Sequence, residues 1–149
     1  MNNDEKWMQI AIKESSVAKS GDEVPVGAVI VKNGKLIAHA HNQPISLNDP
    51  TAHAEILAIR KAAKKENNYR LVGATLYVTL EPCLMCLGAL MHARIERIVF
   101  GAKNTKSGFC GSKIDATNDK QFNHRVIVEG GILEEQCQEI LKSFFRLRR

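Results

Sequence analysis

Two short segments hold residue types that metal chemistry uses: His53-Ala54-Glu55 and Pro82-Cys83-Leu84-Met85-Cys86. Two thiolates and one imidazole form a zinc ligand set that leaves the fourth tetrahedral position open, as catalytic sites do. Zinc held this way lowers the pKa of bound water to about 7. Glu55, two residues from His53, is then placed to take that proton and redeliver it. Each segment alone is weak, since H-x-E recurs on many surfaces and C-x-x-C serves zinc, redox pairs and coincidence. Two other readings stay open: a structural zinc with Cys110 or His92 as fourth ligand, and a thioredoxin-like redox pair, which has no use for His53 and Glu55.

Both segments follow a proline-containing turn and sit at predicted helix starts. That placement matters. In mid-helix, His53 and Glu55 would point to nearly opposite sides, because two residues turn a helix by roughly 200°. On a first turn both reach a group beyond the helix end. Cys83 and Cys86, three apart, share one face of their own first turn. Two helix N-termini, each presenting about half a positive charge, favour the thiolate forms and offset the added charge of Glu55.

The elements that must position these groups follow from periodicity and turn chemistry. Residues 4–19 predict a helix with Trp7, Ile10, Ala11, Val17 and Ala18 on one face and Gly21 as its stop. Residues 26–32 and 35–41 flank Asn33-Gly34, the preferred turn of a type I′ hairpin. Asp49-Pro50-Thr51 offers a cap for a helix to about residue 65, with Ala52, Ile56, Ile59 and Ala63 as its stripe. A strand over 75–80 is followed by a helix over 83–94 that carries no charge before its last residue, hence one buried on all sides by the core or by a second subunit. Strands are predicted at 97–102 and 125–129, with a loop over 103–121 between them. Gly130-Gly131 then turns into a last helix over 133–148, with Cys137, Ile140, Leu141 and Phe144 inward. This order implies an α/β fold of three layers, α/β/α, around a mixed five-stranded sheet.

Composition narrows the class. The chain has 149 residues, 44% hydrophobic and 25% charged, which excludes collagen-like, low-complexity and disordered chains. One domain over residues 1–149 is expected, and that length folds without disulfide staples. Residues 1–19 carry Asp4, Glu5, Lys6, Lys13 and Glu14, unlike a signal peptide, and the longest uncharged apolar run, 82–93, is too short to span a bilayer. A cytoplasmic protein with no membrane partner is expected, where C-x-x-C means metal or redox chemistry. The net charge is +5, and residues 60–125 hold twelve basic against five acidic side chains. That concentration points to an anionic partner.

H-x-E followed by P-C-x-x-C is the known signature of zinc-dependent nucleobase deaminases. More narrowly, Glu23-Val24-Pro25-Val26-Gly27-Ala28, Pro50-Thr51-Ala52-His53-Ala54-Glu55, Leu76-Tyr77-Val78-Thr79-Leu80-Glu81-Pro82-Cys83 and Phe122-Asn123-His124-Arg125 resemble the bacterial tRNA-specific adenosine deaminases. The resemblance runs from the first helix to Phe144-Phe145-Arg146. It implies a cytidine-deaminase-like fold, a homodimer, and hydrolysis of adenosine to inosine at the wobble position of an arginine tRNA anticodon. It also implies one zinc per subunit on His53, Cys83 and Cys86, Glu55 as proton shuttle, and Asn42, Val26, Ala54 and Lys106 as substrate-binding residues. Asn104, Phe145 and Arg146 are its candidate RNA contacts.

Beside them, Lys61, Lys64, Lys65, Lys103, Lys106, Arg148 and Arg149 form a basic stripe suited to phosphates. One of the adjacent Phe144 and Phe145 is expected to pack and the other to stack on RNA or a subunit. At Asn104 the family commonly carries an acidic residue, so weaker discrimination between RNA and DNA is expected. A deaminase of a free base or nucleotide is the alternative reading, and an RNA-binding module with a structural zinc is a third. His39 and His41 share a strand face, but two imidazoles without a third ligand fit an ordinary half-buried strand.

Overall fold

Strands whose residues are apolar on both faces belong in the middle of a covered sheet, and β1 (Gly27–Lys32) and β3 (Ala74–Leu80) are of this kind. The computed structural model describes residues 2–118 and 122–148; Arg149 of the predicted basic stripe lies outside them. Among the described residues, β2 (Lys35–His41), β4 (Arg97–Ala102) and β5 (Ile127–Glu129) complete a five-stranded sheet of order β2-β1-β3-β4-β5. The strand β1 runs antiparallel to both neighbours, and β3, β4 and β5 are parallel. Ala28, Ile30, Leu76, Val78, Ile98 and Phe100 pack against α3 (Ala54–Glu66) and α4 (Leu84–His92). Val29, Val31, Tyr77 and Val99 pack against α1 (Asn3–Ser20) and α5 (Glu134–Arg146). The expected three-layer α/β/α arrangement is therefore present.

Local chemistry explains the joints. Asn33 and Gly34 both have positive φ, 53° and 72°, as a type I′ turn requires. The first turn of α1 is closed by a reciprocal capping box between Asn2 and Glu5. That helix lies directly on β1, because a Cβ at Gly27 would collide with the Ala11 carbonyl and stand 2.8 Å from the Glu14 Cβ. Lys61 of α3 donates to the His39 carbonyl of the edge strand β2, 3.0 Å away, which blunts an edge open to foreign strands.

Several elements depart from the expected bounds. Helix α3 starts at Ala54, not at Pro50 behind an Asp49 cap: Asp49 Oδ1 accepts from the Thr51 backbone N–H and hydroxyl at 2.9 and 2.7 Å, closing a side-chain turn instead of capping a helix. The buried stripe shifts accordingly to Ala54, Leu57, Ala58 and Ala62, leaving Ile56, Ile59 and Ala63 only partly covered. A short unexpected helix, α2 (Pro44–Leu47), forms where the buried Glu23 carboxylate accepts the N–H groups of Ile45 and Ser46. On α1 the covered residues are Met8, Ala11, Ser15 and Ala18, and Val17 is exposed. On α5, Cys137 and Phe144 are buried, with Ile140 and Leu141 partly so.

Arg97 ties the layers together at the start of β4. Its guanidinium donates to Asp4 Oδ1 and Oδ2 at 2.9 and 2.6 Å and to both Glu129 oxygens, and the Tyr77 hydroxyl donates to Asp4 Oδ1 at 2.6 Å. Hydrogen bonding from Arg97 holds the Asp4 carboxyl below its usual range. Its stabilisation is thus present above about pH 4 and lost as pH falls through the lowered folded-state value. Asp4→Asn is expected to lower stability at neutral pH and to flatten the acid limb of thermal stability measured from about pH 3 to pH 7.

Candidate active site

One end of the sheet collects the chemistry. Gly27 opens β1 there, and His41, Leu80 and Ala102 close β2, β3 and β4, so Val26, Asn42, residues 81–83 and Asn104 emerge side by side. They meet His53 and Glu55 around a pocket of about 180 Å³. His53 and Cys83 are the N-cap residues of α3 and α4, each with extended backbone (φ −72°, ψ 155° and φ −77°, ψ 175°), and neither side chain caps its own helix. An N-cap side chain left free in this way projects beyond the helix end, toward the uncommitted N–H groups and the positive end of the dipole.

His53 Nδ1 lies 3.7 Å from Cys83 Sγ and 3.4 Å from Cys86 Sγ. Tetrahedral zinc with ordinary bond lengths sets an S···N separation of about 3.6 Å, between those two values. The three donor atoms all lie within 4.8 Å of one another, and among the described residues no other side chain joins the group. Cys110 is buried elsewhere and His92 is exposed at the far end of α4. A fourth protein ligand, and with it a closed structural site, is thus not provided by either residue named for it. The group fits zinc with one position left for a substrate or water.

Protons are held in this group where a metal displaces them. Hydrogen bonding from Cys86 brings the Cys83 thiol down to about 4, and the same contact, with burial, holds Cys86 well above the ordinary thiol range. His53 is raised by its hydrogen bond with Cys83. Burial pushes the Glu55 carboxyl up to about 7. A carboxyl poised near neutrality both takes and returns a proton with little driving-force penalty.

Asn42, buried at the end of β2, accepts the Ala54 N–H on Oδ1 at 2.9 Å. That contact identifies the oxygen of the carboxamide and leaves Nδ2 as its donor for a ligand. Ala54 thus contributes through its backbone, while its methyl group sits in the core; Val26 lines the pocket wall. Asn104 also lines the pocket, but its side chain turns back into its own loop, accepting from the N–H groups of Lys106 and Ser107 and donating to the Ser107 hydroxyl. Lys106 is brought to a different place. It lines a groove of about 580 Å³ with Leu141, Lys142, Phe145, Arg146 and Arg148 of the C-terminal helical segment. Phe144 is 4% exposed and packs, as expected of one of the pair, and Phe145 is 49% exposed.

Glu81 has a role that spacing did not reveal. Fully buried, its carboxylate accepts from the N–H groups of Asn104, Cys110 and Ser112 at 3.2, 3.0 and 3.0 Å and from the Ser112 hydroxyl. It therefore anchors the loop that walls the pocket. A side chain at Gly108 would run into that carboxylate. The available signal was a carboxylate set between an apolar strand and Pro82, a position where burial demands several donors.

The MafB19-like deaminase family matches this chain over residues 2–149. The tRNA-specific adenosine deaminase of Haemophilus influenzae is 48% identical over 147 residues, covering 98% of this chain and 85% of that one. The enzyme of the same name from Bacillus subtilis is 48% identical over 146 residues, covering 98% and 91%. The chain belongs to the tRNA-specific adenosine deaminases.

The fold of this deaminase is that of a structure solved in work on A-to-I editing by tRNA:A34 deaminases at the wobble position, with a TM-score of 0.89. The two are 43% identical over 91% of this chain and 99% of that one. Among its described residues, no helix is long and apolar enough to cross a membrane. The inner face of α4 lies in the core, while Leu84 and Met85 are 52% and 38% exposed, so of the two covers expected for this helix the core of one chain supplies only one side.

The loop anchor is testable in this deaminase without substrate. Glu81→Ala leaves three loop N–H groups without their buried acceptor, a cost of about 3 kcal/mol. Hydrogen exchange is expected to quicken over residues 103–112 while zinc content is unchanged; a uniform increase along the chain contradicts the local role.

Proposed function

We propose that this deaminase converts adenosine to inosine at the wobble position of an arginine tRNA anticodon, as a cytoplasmic homodimer of single catalytic domains with one zinc per chain. The observation that carries this reading is the meeting, in one pocket, of three zinc donors, the buried Glu55 carboxyl and a free carboxamide donor. Zinc, when bound, supplies a water activated for attack on a carbon. Asn42 Nδ2 donates to the base and Val26 closes the wall beside it. The Glu55 carboxylate takes one proton from the attacking water and passes it to N1 of adenine; it then takes the second proton from the new C6 hydroxyl, which becomes the carbonyl, and gives it to the amine leaving C6, so that water is consumed and ammonia released. An anticodon loop is already single-stranded, so turning out its base costs little compared with opening a duplex.

The groove beside Lys106 supplies what an RNA needs next to such a pocket. Lys106, Lys142, Arg146 and Arg148 offer charge to phosphates, and exposed Phe145 offers a face for a base. Arg146 and Arg148 are held by Glu139 and Asp22 through exposed ion pairs at 2.7 Å, which are weak enough to exchange for phosphate. Lys103 is exposed in the loop after β4, whereas α3 carries exposed Lys61, Lys64 and Lys65 away from the pocket on the sheet face opposite α5, so the expected stripe is not continuous with this groove.

Incubation with an arginine tRNA is expected to yield inosine at the wobble position, with far slower conversion of free adenosine. Equal rates on the two contradict the substrate. Glu55→Ala is expected to retain its zinc and lose about 10³-fold in turnover.

The bare apolar face of α4 supports the dimer, since Leu84 and Met85 lie beside Gly88, where an added side chain meets nothing within 4 Å. Gly88→Lys therefore fits the single chain and obstructs only a partner. Light scattering is expected to show a monomer for that variant and a dimer for the parent chain.

A further inference from the structure

His39 and His41 face the same side of β2, and the structure supplies the third donor that spacing alone did not: Glu14, from the middle of α1. We propose that Glu14, His39 and His41 form a second metal site, separate from the His53, Cys83 and Cys86 group, that takes a divalent transition ion of the Zn²⁺, Ni²⁺ or Cu²⁺ kind. The Glu14 carboxylate sits between the two rings, one oxygen against His39 Nδ1 and the other 2.9 Å from His41 Nδ1.

The backbone holds this arrangement. Strand register pairs His41 with Gly27 and His39 with Val29, so the two rings flank the start of β1. At Gly27 the absent side chain lets α1 touch the strand, with the Glu14 Cβ 2.8 Å from where a glycine Cβ would stand. Glu14 therefore rests on β1 and its carboxylate reaches the neighbouring strand. Lys61 engages the His39 carbonyl and not its ring. The Glu14 and His41 side chains are 15% and 22% exposed and His39 57%, a partly covered site with one side open to water.

The donor set decides the ion. Two imidazoles and one carboxylate suit borderline transition metals, whereas Mg²⁺ and Ca²⁺ take oxygen ligands. As they stand, the three donor atoms do not all lie within 4.8 Å of one another, so binding requires the carboxylate to swing out from between the rings and the rings to turn until one oxygen and both Nδ1 atoms meet a common centre. The hydrogen bonds between the rings and the carboxylate are given up as the metal takes their place. Nothing in the deamination uses these three residues.

The test uses the full chain, free of any affinity tag and carrying its catalytic zinc. Calorimetric titration with Ni²⁺ is expected to show one further ion bound per chain, with a matching rise in unfolding temperature. His39→Gln, His41→Gln and Glu14→Gln are each expected to lose that uptake while keeping the first zinc. His39→Gln, at the most exposed of the three positions, keeps the test decisive should another variant fold poorly. Absence of a further ion in the parent chain overturns the proposal, as does uptake that survives all three substitutions.

Discussion

Two helix N-termini meeting at one end of the sheet are the constraint on which the site depends. His53 and Cys83 each occupy an N-cap, where the backbone is still extended and the side chain points past the helix end. An N-cap side chain ordinarily accepts a hydrogen bond from its own helix, but here both are directed to each other. The N–H groups they leave uncapped, and the dipoles behind them, supply positive potential to two sulfurs and a carboxylate. Moving either helix start by one residue would turn a ligand by about 100° and dissolve the group.

The walls of the pocket are fastened to that constraint by short polar links. Asn42 joins the end of β2 to the first N–H of α3 and, through its own N–H, to the Val26 carbonyl. Glu81 joins the end of β3 to the loop after β4, with its N–H on the Ala102 carbonyl and its carboxylate on three N–H groups of residues 104–112. Each link replaces a solvent contact by a buried hydrogen bond, so the pocket is held in shape before a substrate arrives. Preorganised dipoles of this kind stabilise developing charge more effectively than mobile ones.

What could be read from the sequence was what neighbouring residues decide among themselves. The zinc donors are two local motifs, and the Asn33-Gly34 hairpin is a two-residue statement about φ. The start of α3 was misplaced because Asp49 and Thr51 satisfy each other in a turn whose composition is also that of a helix cap. Lys106, expected among the substrate-binding residues, is directed by the turn around Asn104 toward the C-terminal helix and not into the zinc pocket, a direction that pattern does not specify. Glu14 lies 25 residues from His39, and only the packing of α1 on Gly27 brings them together. The bare face of α4 was hidden for a related reason, since an uncharged helix reads alike whether its second side meets the core or another chain.

Zinc K-edge absorption on protein carrying one zinc per chain tests the central claim most directly. A site built from His53, Cys83 and Cys86 with one open position is expected to show two sulfurs at about 2.3 Å and two nitrogen or oxygen neighbours at about 2.0 to 2.1 Å. Three or four sulfurs would mean that a further cysteine closes the site, and would contradict the account.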